Sequence, residues 1–146
     1  MKELEKQEIE YFLKNAPDGI LALTDGTQPY CVPIAFVYAD DSIFVAMFPK
    51  GRKWEYFQKN NHACLNVLTW DSTRTQWASI IVDGVMKVVT ELETIEVMVK
   101  ANITKMGLDE KVYLKQRMDY YSANLDNPTS LKIVQLNIEK ASGRAT

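Results

Sequence analysis

Lys50-Gly51-Arg52-Lys53 is the stretch of this chain whose residue types and spacing could do chemistry. Two adjacent cations follow a glycine and stand directly before the helix-like run Trp54-Glu55-Tyr56-Phe57. A helix amino terminus offers unpaired backbone N–H groups and a partial positive charge, and a guanidinium beside an ammonium matches a terminal phosphate dianion. In isolation the same quartet is usually just the solvated start of a helix. Upstream lies a second unusual segment, Val32-Pro33-Ile34-Ala35-Phe36, an apolar strand whose proline cannot donate a ladder hydrogen bond. Such a strand is locally an edge, a bulge, or a place where something other than backbone approaches. A ligand is one such thing.

Other chemistries lack their parts. The single histidine, His62, follows Asn60-Asn61 as a surface turn residue, and no cysteine or histidine cluster supplies an imidazole or thiolate metal site. No metal is expected. Cys31 and Cys64 lie on separate apolar segments and read as buried thiols rather than a redox pair or a disulfide framework. The six glycines are scattered as turn residues, so neither the dinucleotide fingerprint nor the phosphate loop with its lysine can be built. Seventeen basic against nineteen acidic side chains leave a net charge of −2, with no sequence-wide positive field for a polyanion. Nucleic acid is not an expected partner. No apolar run approaches the roughly 20 residues that span a bilayer, and Lys2-Glu3-Leu4-Glu5-Lys6 is not a signal-peptide core. The expectation is a cytoplasmic protein without a membrane partner.

The elements that must position the two segments follow from periodicity. A chain of 146 residues, 47% hydrophobic, is expected to form one domain over 1–146. Ile9, Phe12 and Leu13 predict a helix over Lys2 to Lys14, stopped by Asn15-Ala16-Pro17-Asp18-Gly19. Ile20 to Leu23 is a short strand, Asp25-Gly26 a hairpin turn, and Tyr30 to Tyr38 the return strand. After the turn at Ala39-Asp40-Asp41 come a strand over Ile43 to Met47, a helix over Lys53 to Lys59 and a strand over Ala63 to Thr69. The polar loop Asp71 to Gln76 leads into a long strand over Trp77 to Val89, bent at Gly84. Leu92, Ile95, Val99, Ile103 and Met106 recur at helical spacing up to Gly107. Asp109 to Leu125 reads as a second helix with a weak apolar stripe, and Val134, Leu136 and Ile138 as a half-buried strand before a loose tail. Five or six strands in hairpin succession with outer helices predict an α+β fold, an antiparallel barrel or curled sheet.

That order of features resembles the FMN-binding split-barrel family, the pyridoxamine 5'-phosphate oxidase-like proteins. The matching segments are Gly19 to Leu23, Pro29-Tyr30 leading to Val32 to Phe36, Ile43 to Met47, Gly51-Arg52-Lys53, and Trp77 to Gly84. The resemblance implies a split antiparallel barrel of about six strands with peripheral helices, assembled as a homodimer with flavin at its interface. It implies isoalloxazine contacts at Val32, Pro33, Ile34, Ala35 and Phe36 and on the next strand at Ala46 and Met47. It assigns the FMN phosphate to Arg52 and Lys53, and the ribityl-phosphate end to Ser79. The function it implies is a flavin-dependent oxidoreductase passing electrons to a small-molecule acceptor, with no catalytic side chain identified. A flavin-binding or electron-transfer module without its own substrate, and a deazaflavin-binding relative, would use the same site.

Two departures narrow the implication. The chain ends in Ile138-Glu139-Lys140-Ala141-Ser142-Gly143-Arg144, without the arginine-rich segment that binds substrate phosphate in the pyridoxine-phosphate oxidases. Relatives resembling the nitroimidazole reductases carry a histidine near the position of Ala46, and His62 is elsewhere.

Overall fold

The computed structural model describes all 146 residues. In chain order the elements are β1 (Lys2–Glu3), α1 (Lys6–Asn15), β2 (Asp18–Thr24), β3 (Pro29–Ala35), β4 (Val37–Ala39), β5 (Ser42–Met47), α2 (Gly51–Lys59), β6 (His62–Trp70), β7 (Trp77–Val88), α3 (Leu92–Met106), α4 (Glu110–Asn124) and β8 (Lys132–Ala145). The architecture is the expected α+β split barrel. One antiparallel sheet runs β3-β2-β6-β7-β8-β5-β4, and β1 pairs with β8. None of the helices is long and apolar enough to cross a membrane.

Alternation along the strands sorts the sheet's two faces. On β5, Ile43, Val45 and Met47 join the main core with Leu21, Leu65, Val67, Ile80, Val82 and Leu136. The intervening Phe44 turns the other way, into a second cluster with Val37, Ile95, Val99, Ile103 and Ile133. α3 supplies four of the nine buried residues of that cluster and α4 leans on α3, so the two helices cover the β4–β5 side of the barrel. α4 buries none of its residues fully, as its weak stripe implied. Gly107, at φ +65°, terminates α3 where the periodicity stops.

Four expectations need correction. The predicted first helix begins at Lys6, because Lys2–Glu3 pairs in register with Arg144 and Ala145. The predicted strand Tyr30 to Tyr38 is two strands, interrupted at Phe36, so that β3 and β4 occupy opposite ends of the sheet. The loose tail is strand: β8 continues to Ala145 because β7 and β1 satisfy its backbone from both sides, although its side chains are mostly exposed. Together these raise the strand count to eight. Finally, Cys31 is exposed and Cys64 half-buried, since both fall on outward positions of the pleat.

The irregularity expected at Gly84 is present, as a register shift between Asp83 and Gly84 where β7 meets β8. A Cβ on Gly84 would stand 2.0 Å from the Asn137 carbonyl oxygen. Only glycine permits that approach.

Candidate functional site

β3 is the sheet's terminal strand, hydrogen-bonded to β2 alone, with Pro33 opposite Ile20. This is an edge position of the kind that tolerates a proline. The pleat divides the residues assigned to a ring. Ile34, Phe36 and Met47 are buried members of the barrel core, and Val32 packs half-buried against them. Pro33, Ala35 and Ala46 are exposed. The side chains of the first group are therefore committed to the core, and only their backbone is available to a ligand.

Ala35, Phe36 and Ala46 come together on the wall of one cavity of about 520 Å³, closed on its far side by α3 and α4. A volume of that order holds a small organic ligand. Asn102 of α3 and Tyr113, Gln116, Arg117, Tyr120 and Tyr121 of α4 line it, with Phe44 and Ile133 beneath. None of the fifteen lining residues is Asp, Glu, His, Cys or Lys. At the rim, Lys105 donates to the Phe36 carbonyl at 2.6 Å and stands 4.3 Å from that ring's centre. Burial pulls the Lys105 ammonium pKa down, against the long-range pull of Asp18.

The cationic pair forms a separate corner. Gly51, at φ +85°, turns the chain into α2. No side chain caps that terminus and no acidic residue occupies its first turn, so its N–H groups and partial positive charge stay available. Arg52 is exposed and lies against two aromatic rings, its guanidinium carbon 4.4 Å from the centre of Tyr30 and 5.2 Å from that of Tyr56. Its Nη2 also donates to the Tyr56 hydroxyl, at 3.4 Å. Lys53 is half-buried next to it, and neither cation enters a salt bridge.

Ser79 is not brought to this corner within the chain. It sits on the outward face of β7, opposite Leu68, where its hydroxyl accepts a hydrogen bond from Asn66 Nδ2 at 3.1 Å. Two strands, β6 and β2, separate β7 from β3.

The pyridoxamine 5'-phosphate oxidase family model matches residues 5–145. The chain belongs to this family. None of the curated proteins matches the sequence. Among solved structures, a candidate 5-nitroimidazole antibiotic resistance protein from Bacteroides thetaiotaomicron superposes with a TM-score of 0.70 at 20% identity, over 99% of this chain and 87% of the other. An FAD-binding protein from Mesorhizobium loti gives 0.67 at 22% identity, over 99% and 97%. The FAD-binding protein from Mycobacterium smegmatis gives 0.69 at 19%, over 99% and 98%. At these identities the likeness is one of fold.

Within this family fold, sequence reasoning missed the aromatic support of Arg52 and the helical wall of the cavity. One signal was present: Tyr113, Arg117 and Tyr121 recur four residues apart, which places them on one face of a helix. Asn102 gave none, because only the α3–α4 hairpin brings it to Arg117.

Proposed function

We propose that this protein binds FMN and acts as a flavin-dependent oxidoreductase on a small acceptor. The observation that carries this reading is the uncapped, acid-free amino terminus of α2, with Arg52 steadied on Tyr30 and Tyr56 but engaged in no ion pair. An exposed cation held in place without a counter-charge suits an incoming phosphate. Membership of the family and solved relatives named as FAD-binding support a flavin. A terminal phosphate dianion, as FMN carries, is the group the paired Arg52 and Lys53 fit best.

The residues present fit the rest of such a cofactor. Ala35 and Ala46 are exposed and small, leaving flat space above the strand ends, and β3 keeps one backbone edge unpaired. Flavin, when bound, supplies one- and two-electron chemistry. The chain's part is to anchor phosphate at α2, to orient the ring through backbone groups of β3 and β5, and to exclude water with the walls formed by α3 and α4.

Assembly as a homodimer belongs to the same proposal. Ile20, Leu68, Trp70 and Ile81 are exposed on the outward face, with Ile20 opposite Asn66 and Asn66 opposite Ile81 across β2, β6 and β7. Exposed apolar side chains gathered on one sheet face around Asn66 suit a protein interface. Ser79 shares that face, so a second copy would bring it near a flavin that its own protomer does not bring it near.

The test is an absorbance spectrum of the purified protein followed by titration with FMN. Co-purifying flavin bands, or a Kd below about 1 μM, support the reading. A colourless protein indifferent to FMN would redirect the search to deazaflavin.

A further inference from the structure

Arg117 stands out among the cations of this molecule. It is half-buried on the wall of a cavity whose lining contains no carboxylate, and it forms no salt bridge. Its Nη1 donates to Asn102 Oδ1, and its guanidinium carbon lies 5.7 Å from the centre of Tyr113. A guanidinium carries five N–H donors, and the Asn102 oxygen occupies one direction of that fork. Withdrawing a charge from water without a counter-charge is unfavourable. The counter-charge is missing from the protein itself.

We infer that Arg117, oriented by Asn102, is a specificity-determining residue that selects a small aromatic carboxylate in the cavity between the β4–β5 side of the sheet and the α3–α4 hairpin. That the selected molecule is the redox partner of a flavin rests on the function proposed above; that the cavity prefers such an anion does not. The walls define the rest of the ligand. Phe44, Tyr113, Tyr120 and Tyr121 offer aromatic surface, which favours a planar ring. A single guanidinium matches a planar monoanion through two parallel hydrogen bonds, whereas a phosphate dianion calls for more positive charge than this cavity holds. Lys105 is not among the lining residues, its ammonium being held on the Phe36 carbonyl. Burial also pushes the Tyr121 phenol pKa upward, leaving it a neutral hydrogen-bond donor at physiological pH.

The test compares benzoate with benzamide, its uncharged analogue, by titration calorimetry on the full chain with and without FMN. The expected result is that wild type takes benzoate about tenfold more tightly than benzamide. Arg117→Gln brings the ratio to about one. Arg117→Lys, which keeps the charge but not the fork, falls between the two and guards against a variant that simply misfolds. Equal binding of the two probes by wild type, binding of neither, or a preference that survives Arg117→Gln would overturn the inference. A wild type that prefers benzoate yet takes up no FMN sinks the flavin reading and leaves this one standing.

Discussion

Two arginines, each laid on tyrosine and neither in an ion pair, serve different surroundings. Arg52 stands in solvent at the amino terminus of α2, with Lys53 beside it and backbone N–H groups adding to the field. Arg117 is half-buried and the one cation in its cavity's lining, among phenols and the amides of Asn102 and Gln116. In water a single guanidinium binds an anion weakly, so an exposed site gathers several positive contributors. In a cavity of low polarity one suffices, and shape can discriminate. Charge count at the first corner and enclosure at the second give anion sites of different character.

The bluntest way to break this contrast is to damage the scaffold both corners share. Gly84→Ala forces a Cβ against the Asn137 carbonyl between β7 and β8. It is expected to cost about 3 kcal/mol in urea denaturation and to weaken both sites together. Unchanged stability would mean that the bulge is absent. Next in size, Arg52→Ala is expected to raise the Kd for FMN about 10- to 100-fold, with turnover restored by excess FMN. Unchanged turnover at low FMN would move the phosphate elsewhere. Asn102→Ala sharpens the comparison from the other side: the benzoate preference falls a few-fold, as for one lost hydrogen bond.

The last effect concerns the outward face on which neither arginine lies. Burial and the neighbouring Asp83 push the Cys64 thiol up to about 11, so at pH 8 alkylation of Cys64 is expected to lag that of exposed Cys31 by more than about tenfold. Cys31 labelled in dilute solution but protected in concentrated solution would indicate that a second copy covers this face. Equal labelling at all concentrations would count against the dimer.

What was legible in the sequence is what local chemistry decides. Asp25-Gly26 marked the β2–β3 hairpin, and Gly26 adopts φ +104° there. Gly107 marked the end of α3, and of the edge, bulge or ligand approach that Pro33 allowed, the edge is realised. The far end of β8 was not legible, because Glu139 to Arg144 is polar and becomes strand through partners far away in sequence. Lys2–Glu3 was hidden for the same reason. No turn residue marks the break at Phe36, where the chain passes from one end of the sheet to the other. At the candidate site, the α2 quartet was visible as a contiguous motif. Arg117 and Asn102 were not, being fifteen residues apart on two helices of which one has scarcely any apolar stripe.

The path of the sheet also bears on how such a chain comes into being. β5 reaches β7 only across β8, with α2, β6, β7, α3 and α4 all intervening in sequence before β8 is made. A nascent chain extending through α4 can pair β2 with β3 and β6 with β7, yet its β4–β5 hairpin has no neighbouring strand to join. Two open strand edges, on β5 and β7, wait for a single late arrival. Such distant pairing is slow to form and leaves strands open to the wrong partner meanwhile. The cavity, walled by β5 on one side and α3–α4 on the other, is therefore among the last parts of the molecule to exist.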